Sequence, residues 1–129
     1  MLYTSHVKTD APSFVDITSE IKKAIADSGV VAGMCIVTVS DARAALALME
    51  TENKKACADV LRELDRAVPP RLDYGEDPYG CAAATKAALL SASKDLPVEG
   101  GTLSIGEGRG VYLVDFLGGK YLEFNVKCM

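Results

Sequence analysis

GVYLVDFLGGKYLEFNVK, running from Gly110 to Lys127, carries most of the fold information in this chain. Gly110–Leu117 and Lys120–Lys127 are rich in β-branched and aromatic residues and read as strands. Gly118-Gly119 between them fits a two-residue turn of the primed type, which needs positive φ at both positions. The expectation is a β-hairpin. Just upstream, Thr102–Ile105 reads as a further strand, so the chain ends in a meander of three. Between those strands lies Gly-Glu-Gly-Arg-Gly, Gly106 to Gly110. A phosphate loop needs a helix directly after its glycines to aim N–H groups at the ligand, and here a strand follows. The run therefore reads as a glycine-rich connection.

Working towards the N-terminus, residues 81–93 (CAAATKAALLSAS) have high helix propensity. Before them stands PPRLDYGEDPYG, a connection longer than most in a compact domain and so a candidate functional loop. Residues 52–67 give the clearest helix. Ala56, Val60, Leu61, Leu64 and Ala67 form one apolar stripe, and Lys54, Lys55, Arg62, Glu63 and Arg66 face water. Pro69-Pro70 ends it. Ala42–Met49 is open between helix and strand. Val30–Val39 is short, β-branched and apolar, and reads as a buried central strand. Ile21, Ala24 and Ile25 recur at helical spacing between Thr18, the expected N-cap, and Gly29, the expected C-cap. Phe14–Ile17 is a short extended piece, and residues 2–8 alternate weakly as an edge strand. Strands mixed with two or three helices and closed by a meander define an α+β fold, largely antiparallel.

The chain has 129 residues, enough for one domain, here residues 1–129. Apolar residues make up 49% and charged ones 25%, the balance of a globular protein with a packed core. A net charge of −4 with no basic cluster argues against capture of nucleic acid or an anionic membrane surface. The longest apolar run, Gly29 to Val39, is about half of what a membrane-spanning helix needs. The polar start MLYTSHVKTDAP lacks a signal-peptide core, so a cytoplasmic location is expected. Cys35, Cys57, Cys81 and Cys128 are too far apart in sequence for a zinc knuckle or a redox pair, and are expected as reduced structural thiols. His6 is the single histidine, so the commonest general base and metal ligand is nearly absent. Residue chemistry alone names no reaction.

Several strings in order resemble the YjbQ family, whose members are described as secondary thiamine-phosphate synthases. They include Phe14-Val15-Asp16-Ile17-Thr18, Gly33, Ala44-Ala45-Leu46, Glu50, Asp59, Val68-Pro69, Tyr74 and Lys86-Ala87-Ala88-Leu89-Leu90. The longest is Leu96-Pro97-Val98-x-x-Gly101-x-Leu103-x-x-Gly106, which is similar to the family's run in spacing as well as type. The resemblance implies the family's α+β fold, favours a strand at Ala42–Met49, and implies a homotrimer, the self-association expected here. It also marks where this chain departs. The family's His-Thr-Thr/Ser-Ala motif falls on Asp41-Ala42-Arg43-Ala44, its Tyr-x-His on Tyr74-x-Glu76, and its His-Ile-Lys on Ala84-Thr85-Lys86. Its Gly-Thr-Trp-Gln falls on Gly106-Glu107-Gly108-Arg109.

Imidazole clusters suit zinc or acid–base work near neutrality, whereas Asp41 and Glu76 are hard oxygen donors with reference pKa values near about 4. No cofactor and no zinc are expected. The one cation such oxygens would accept is weakly held Mg²⁺ or Ca²⁺. Two readings follow. In the first, the protein is non-catalytic, an oligomeric binding or structural protein that kept the fold. In the second, it is an enzyme similar to the thiamine-phosphate synthases, acting on a small phosphorylated substrate. The candidate site residues at family-matched positions are Asp41, Arg43, Glu50, Asp59, Glu76 and Arg109; for a small-molecule site the four acids are expected to converge at the subunit edge, with Arg43 or Arg109 gripping a phosphate or carboxylate.

Overall fold

The computed structural model describes residues 2–129. In order its elements are β1 (Leu2–Thr9), β2 (Ser13–Asp16), α1 (Thr18–Ser28), β3 (Gly33–Val39), β4 (Ala44–Glu50), α2 (Ala56–Ala67), α3 (Pro78–Leu90), β5 (Ser93–Glu99), β6 (Thr102–Leu103), β7 (Arg109–Asp115) and β8 (Lys120–Cys128). Among the described residues, three helices and two antiparallel sheets make one α+β domain, as the sequence predicts. One sheet has the order β1-β8-β3-β5-β6 and the other β2-β7-β4. Val30–Val39 supplies β3, which lies mid-sheet between β8 and β5, and residues 2–8 supply the edge strand β1. The open question at Ala42–Met49 resolves as strand β4.

The sheets bury their facing sides in a common core. Cys35, Val37 and Val39 of β3 and Leu122, Phe124 and Val126 of β8 meet Leu46 of β4 and Val111 and Leu113 of β7. Ile21, Ala24 and Ile25 bring the apolar stripe of α1 into the same cluster. The far side of the three-stranded sheet carries a second, smaller cluster. There Ala45 and Val114 pack against Ala83 and Ala87 of α3, with Leu61 and Leu64 of α2 partly buried against them. Alternation along β4 explains the double duty: Ala44 and Leu46 face inward, Ala45 and Ala47 face the helices.

The expected hairpin does not form. β7 pairs with β2 and β4, whereas β8 pairs with β1 and β3, so Phe116–Gly119 carries the chain from one sheet to the other. Gly118 and Gly119 do take positive φ, at 89° and 75°, so the local chemistry was read correctly and its consequence was not. The cause is Asp115, buried with 2% exposure. Its Oδ1 accepts the N–H groups of Leu117 (2.9 Å) and Gly118 (3.0 Å), and its Oδ2 accepts the Thr9 hydroxyl. The Gly119 N–H donates to the Thr9 carbonyl at 2.8 Å. The turn is thus tied to the end of β1 rather than folded back on β7. A Cβ on Gly118 would come within 2.8 Å of the Ala11 backbone, so the crossing also needs glycine for space.

β5 was not expected, because Ser93-Lys94-Asp95 is polar and Pro97 has no N–H to donate. The Pro97 carbonyl accepts from Ser104, which places the missing N–H on the side of the two-residue edge strand and off the β3 ladder. Leu96 and Val98 then alternate into the core. Thr18 is the first residue of α1 and not its N-cap. Ile17 holds the N-cap position without a side-chain cap bond, and the Asp16 carboxylate before it accepts the Thr18 amide (2.9 Å) and hydroxyl (2.6 Å). Gly29 ends α1 at φ 75° as expected. α2 begins at Ala56 rather than 52, and α3 begins at Pro78, with Asp77 accepting the Tyr79 N–H at 3.2 Å. Among the described residues no helix is long and apolar enough to cross a membrane.

Candidate functional site

Within one chain the six candidate residues fall into three places. Asp41 and Arg43 sit in the turn between β3 and β4, where Asp41 Oδ1 accepts the Arg43 amide at 2.7 Å. Asp41 Oδ2 lies 3.4 Å from Lys120 Nζ, a partly exposed ion pair. The Arg43 guanidinium lies across the first turn of α3, 3.9 Å from Asp77. Gly80 makes that approach possible, since a Cβ there would lie 2.5 Å from the guanidinium. Ala84, where the family has its third imidazole position, lines a shallow depression with Asp41, Ala42 and Ala88. Glu76 is exposed in the connection before α3, one residue from the cap Asp77.

Glu50 and Arg109 occupy the other end of the three-stranded sheet, directly opposite each other in the β4–β7 register. The length of β4 separates them from Asp41, a span of about 20 Å at the usual rise per residue. Asp59 is on the outer surface of α2 and pairs with Arg62 on its own helix. Such an exposed pair has little energetic weight. The acids therefore do not converge in the single chain. Among the described residues no three His, Cys, Asp or Glu side chains are grouped as metal ligands would be. His6 lies on β1, its Nε2 3.6 Å from Glu123 across the β1–β8 ladder. The long connection expected to be functional is held by contacts of its own: Tyr74 donates to the Pro69 carbonyl at 3.1 Å, and Arg71 pairs with Asp73.

A polar cavity lies at the Glu50–Arg109 end. It is an open cleft of about 490 Å³, lined by Asp16, Thr18, Ser19, Lys22, Thr51, Arg109 and Gly110. β7 supplies Arg109, which extends from the start of the strand and donates weakly to the Ile105 carbonyl at 3.4 Å. α1 supplies Lys22 and its own first turn. That turn is fixed to β7 by reciprocal bonds: the Val111 amide donates to the Thr18 hydroxyl, and the Ile17 amide to the Val111 carbonyl, both at 2.9 Å. The helix begins its own i→i−4 bonding at Ile21, so the Ser19 and Glu20 amides precede it as free donors of the first turn. Asp16 contributes a negative charge, yet Oδ1 is already engaged by Thr18. Neither Lys22 nor Arg109 forms an ion pair among the described residues. The result is two unpaired cations, three hydroxyls and the positive end of a helix around one cleft.

Of the cleft residues, Arg109 alone is among the six candidate site residues read from the sequence. Asp16 and Thr18 stood in a matched string without a site role, Lys22, Ser19 and Thr51 stood in none, and only the α1–β7 junction brings them together.

Comparison with known proteins was consistent along the whole chain. The sequence profile of the family described as "UPF0047 protein YjbQ-like" matches residues 3–129. UPF0047 protein YugU of Bacillus subtilis is 27% identical over 131 residues, covering 100% of this chain and 99% of its own. The crystal structure of an uncharacterized conserved protein of the YjbQ/UPF0047 family from Clostridium acetobutylicum matches with a TM-score of 0.90 at 30% identity, covering 100% of this chain and 99% of that one. A hypothetical protein from Aeropyrum pernix shares the fold, with a TM-score of 0.91 at 22% identity, covering 100% of this chain and 98% of that one.

Proposed function

Because the chain belongs to the UPF0047 family of YjbQ-like proteins, we propose that it is an oligomeric binding protein for a small phosphorylated or carboxylated ligand, keeping the family fold without imidazole chemistry. One observation carries the reading: Lys22 and Arg109, both without an ion-pair partner among the described residues, line the same cleft as the first turn of α1. A dianion there gains charge-assisted bonds from the guanidinium and ammonium and from N–H groups that the helix cannot satisfy itself. Catalysis at the positions that match the family histidines is disfavoured by their chemistry. Asp41 is engaged with Arg43 and Lys120, Glu76 is solvated, and Ala84 offers no donor. The ligand is therefore held and not turned over by a base near neutrality.

Self-association as a homotrimer is part of the same proposal. It is supported by the outer face of the five-stranded sheet, where Leu2, Met34 and Tyr121 stand exposed. The small-residue face of α3 gives no such support, because Ala83 and Ala87 are already spent against Ala45 and Val114. A cytoplasmic location fits a ligand of this class and remains with the proposal.

Titration calorimetry with inorganic pyrophosphate at low salt tests the binding claim. Saturable binding is expected, weakened at least about tenfold in the Lys22→Ala/Arg109→Ala double variant, since charged hydrogen bonds contribute roughly 1.5–3 kcal/mol each. Equal binding by both proteins, or none by either, rules the cleft out. Light scattering on the same samples reads the assembly, and a mass near one chain removes the trimer. Elemental analysis should find no stoichiometric zinc, and zinc that survives purification would contradict the loss of imidazole chemistry.

A further inference from the structure

Two of the four cysteines that are far apart in sequence meet face to face. Cys35 of β3 and Cys128 of β8 are direct partners in the antiparallel register. Their neighbours Met34 and Met129 exchange both backbone bonds, at 3.0 and 2.9 Å. Antiparallel ladders alternate bonded and non-bonded pairs, so Cys35–Cys128 is a non-bonded pair. In such a pair the Cα atoms lie about 4.5 Å apart and the side chains are at their closest. That separation is within the range a disulfide spans, about 4.4–6.8 Å. Both side chains point into the inter-sheet core, Cys35 fully buried and Cys128 at its edge and partly exposed. Cys128 lies close enough to help raise the pKa of the Cys35 thiol. Cys57 and Cys81, on α2 and α3, have no such partner.

We propose that Cys35 and Cys128 form an intramolecular disulfide by exchange with a low-molecular-weight disulfide such as oxidised glutathione. Cys128, the accessible member, attacks as thiolate and breaks the S–S bond of the small molecule. One small thiol leaves, and a mixed disulfide remains on Cys128. Cys35 then gives up its proton to solvent or to the departing thiolate and attacks the Cys128 sulfur, expelling the second small thiol. The two protein thiols are oxidised, and one small disulfide is reduced to two thiols. Burial pushes the Cys35 thiol up to about 11, with Cys128 beside it adding to the shift. This leaves the first attack from solution to Cys128, and the direct register pairing alone places Cys35 to resolve the mixed disulfide. The bond would fasten the last strand of the chain to the middle of the five-stranded sheet and close a loop through most of the sequence.

The test uses the purified full chain incubated with oxidised glutathione, then denatured, alkylated and weighed. The expected result is two alkylatable thiols fewer than in the reduced protein, no retained glutathione, and a proteolytic fragment joining Cys35 to Cys128. Closing so long a loop should raise the Tm by roughly 10 °C. A Cys57→Ser/Cys81→Ser variant should oxidise as readily, and a Cys128→Ala variant should keep its remaining thiols free. Four alkylatable thiols after treatment, glutathione retained on Cys128, or a bridge through Cys57 or Cys81 would each overturn the proposal.

Discussion

α1 and α2 are nearly equal in length, eleven and twelve residues, yet they do different work. α1 buries Ile21, Ala24 and Ile25 between the sheets and is bonded to β7 at its start. α2 buries only Ala56 and rests Leu61 and Leu64, half-covered, on the far side of the three-stranded sheet. The stripe of α2 is the clearer of the two in sequence, because charged residues frame it on both sides. Amphipathic contrast thus reports which face of a helix is turned inward, and not how deeply that face is buried. Depth is set by what lies beneath: two facing sheets for α1, one sheet and an alanine-rich helix for α2.

The contrast can be broken hardest in the inter-sheet core. Phe124→Ala removes the largest fully buried side chain and should cost about 3–5 kcal/mol, read as a fall in the urea midpoint with unchanged slope. Asp115→Ala acts at the crossing between the sheets. It leaves the Leu117 and Gly118 amides and the Thr9 hydroxyl without their shared acceptor, at a cost of about 2–3 kcal/mol. A loss under about 0.5 kcal/mol there would mean that the glycines alone direct the crossing. Leu64→Ala on α2 should cost only about 1 kcal/mol, since a half-buried side chain leaves less cavity and its site can relax. If it costs as much as Phe124→Ala, the outer layer is as integral as the core.

Most of the elements were legible because their signals are local: Gly29 as a cap, the β-branched run of β3, and the stripe of α2. What was not legible depends on partners distant in sequence. Gly118-Gly119 has the chemistry of a hairpin turn, and nothing nearby reveals that Asp115 will be claimed by Thr9 at the other end of the chain. Pro97 argues against a strand until β6 proves to be two residues long, so that the missing donor faces the short edge. The ion pair of buried Lys86 with Asp65, set against the Phe116 ring, fastens α3 to α2; Lys86 stood in a matched string, and nothing in the sequence named Asp65 as its partner. The candidate site shows the same division. Arg109 followed from position within a matched motif, whereas Lys22 and the hydroxyls around it are brought there by the junction of α1 with β7. The cysteine pair was hidden for the same reason, since sequence spacing says nothing about register.

Amide-resolved NMR during titration with inorganic pyrophosphate tests the central claim most directly, because it reports where the anion sits as well as whether it binds. The account predicts saturable shifts concentrated at Ser19, Glu20, Thr51 and Gly110, absent in the Lys22→Ala/Arg109→Ala variant. Shifts centred on Asp41, Arg43 and Ala84, or spread evenly over the surface, would contradict it.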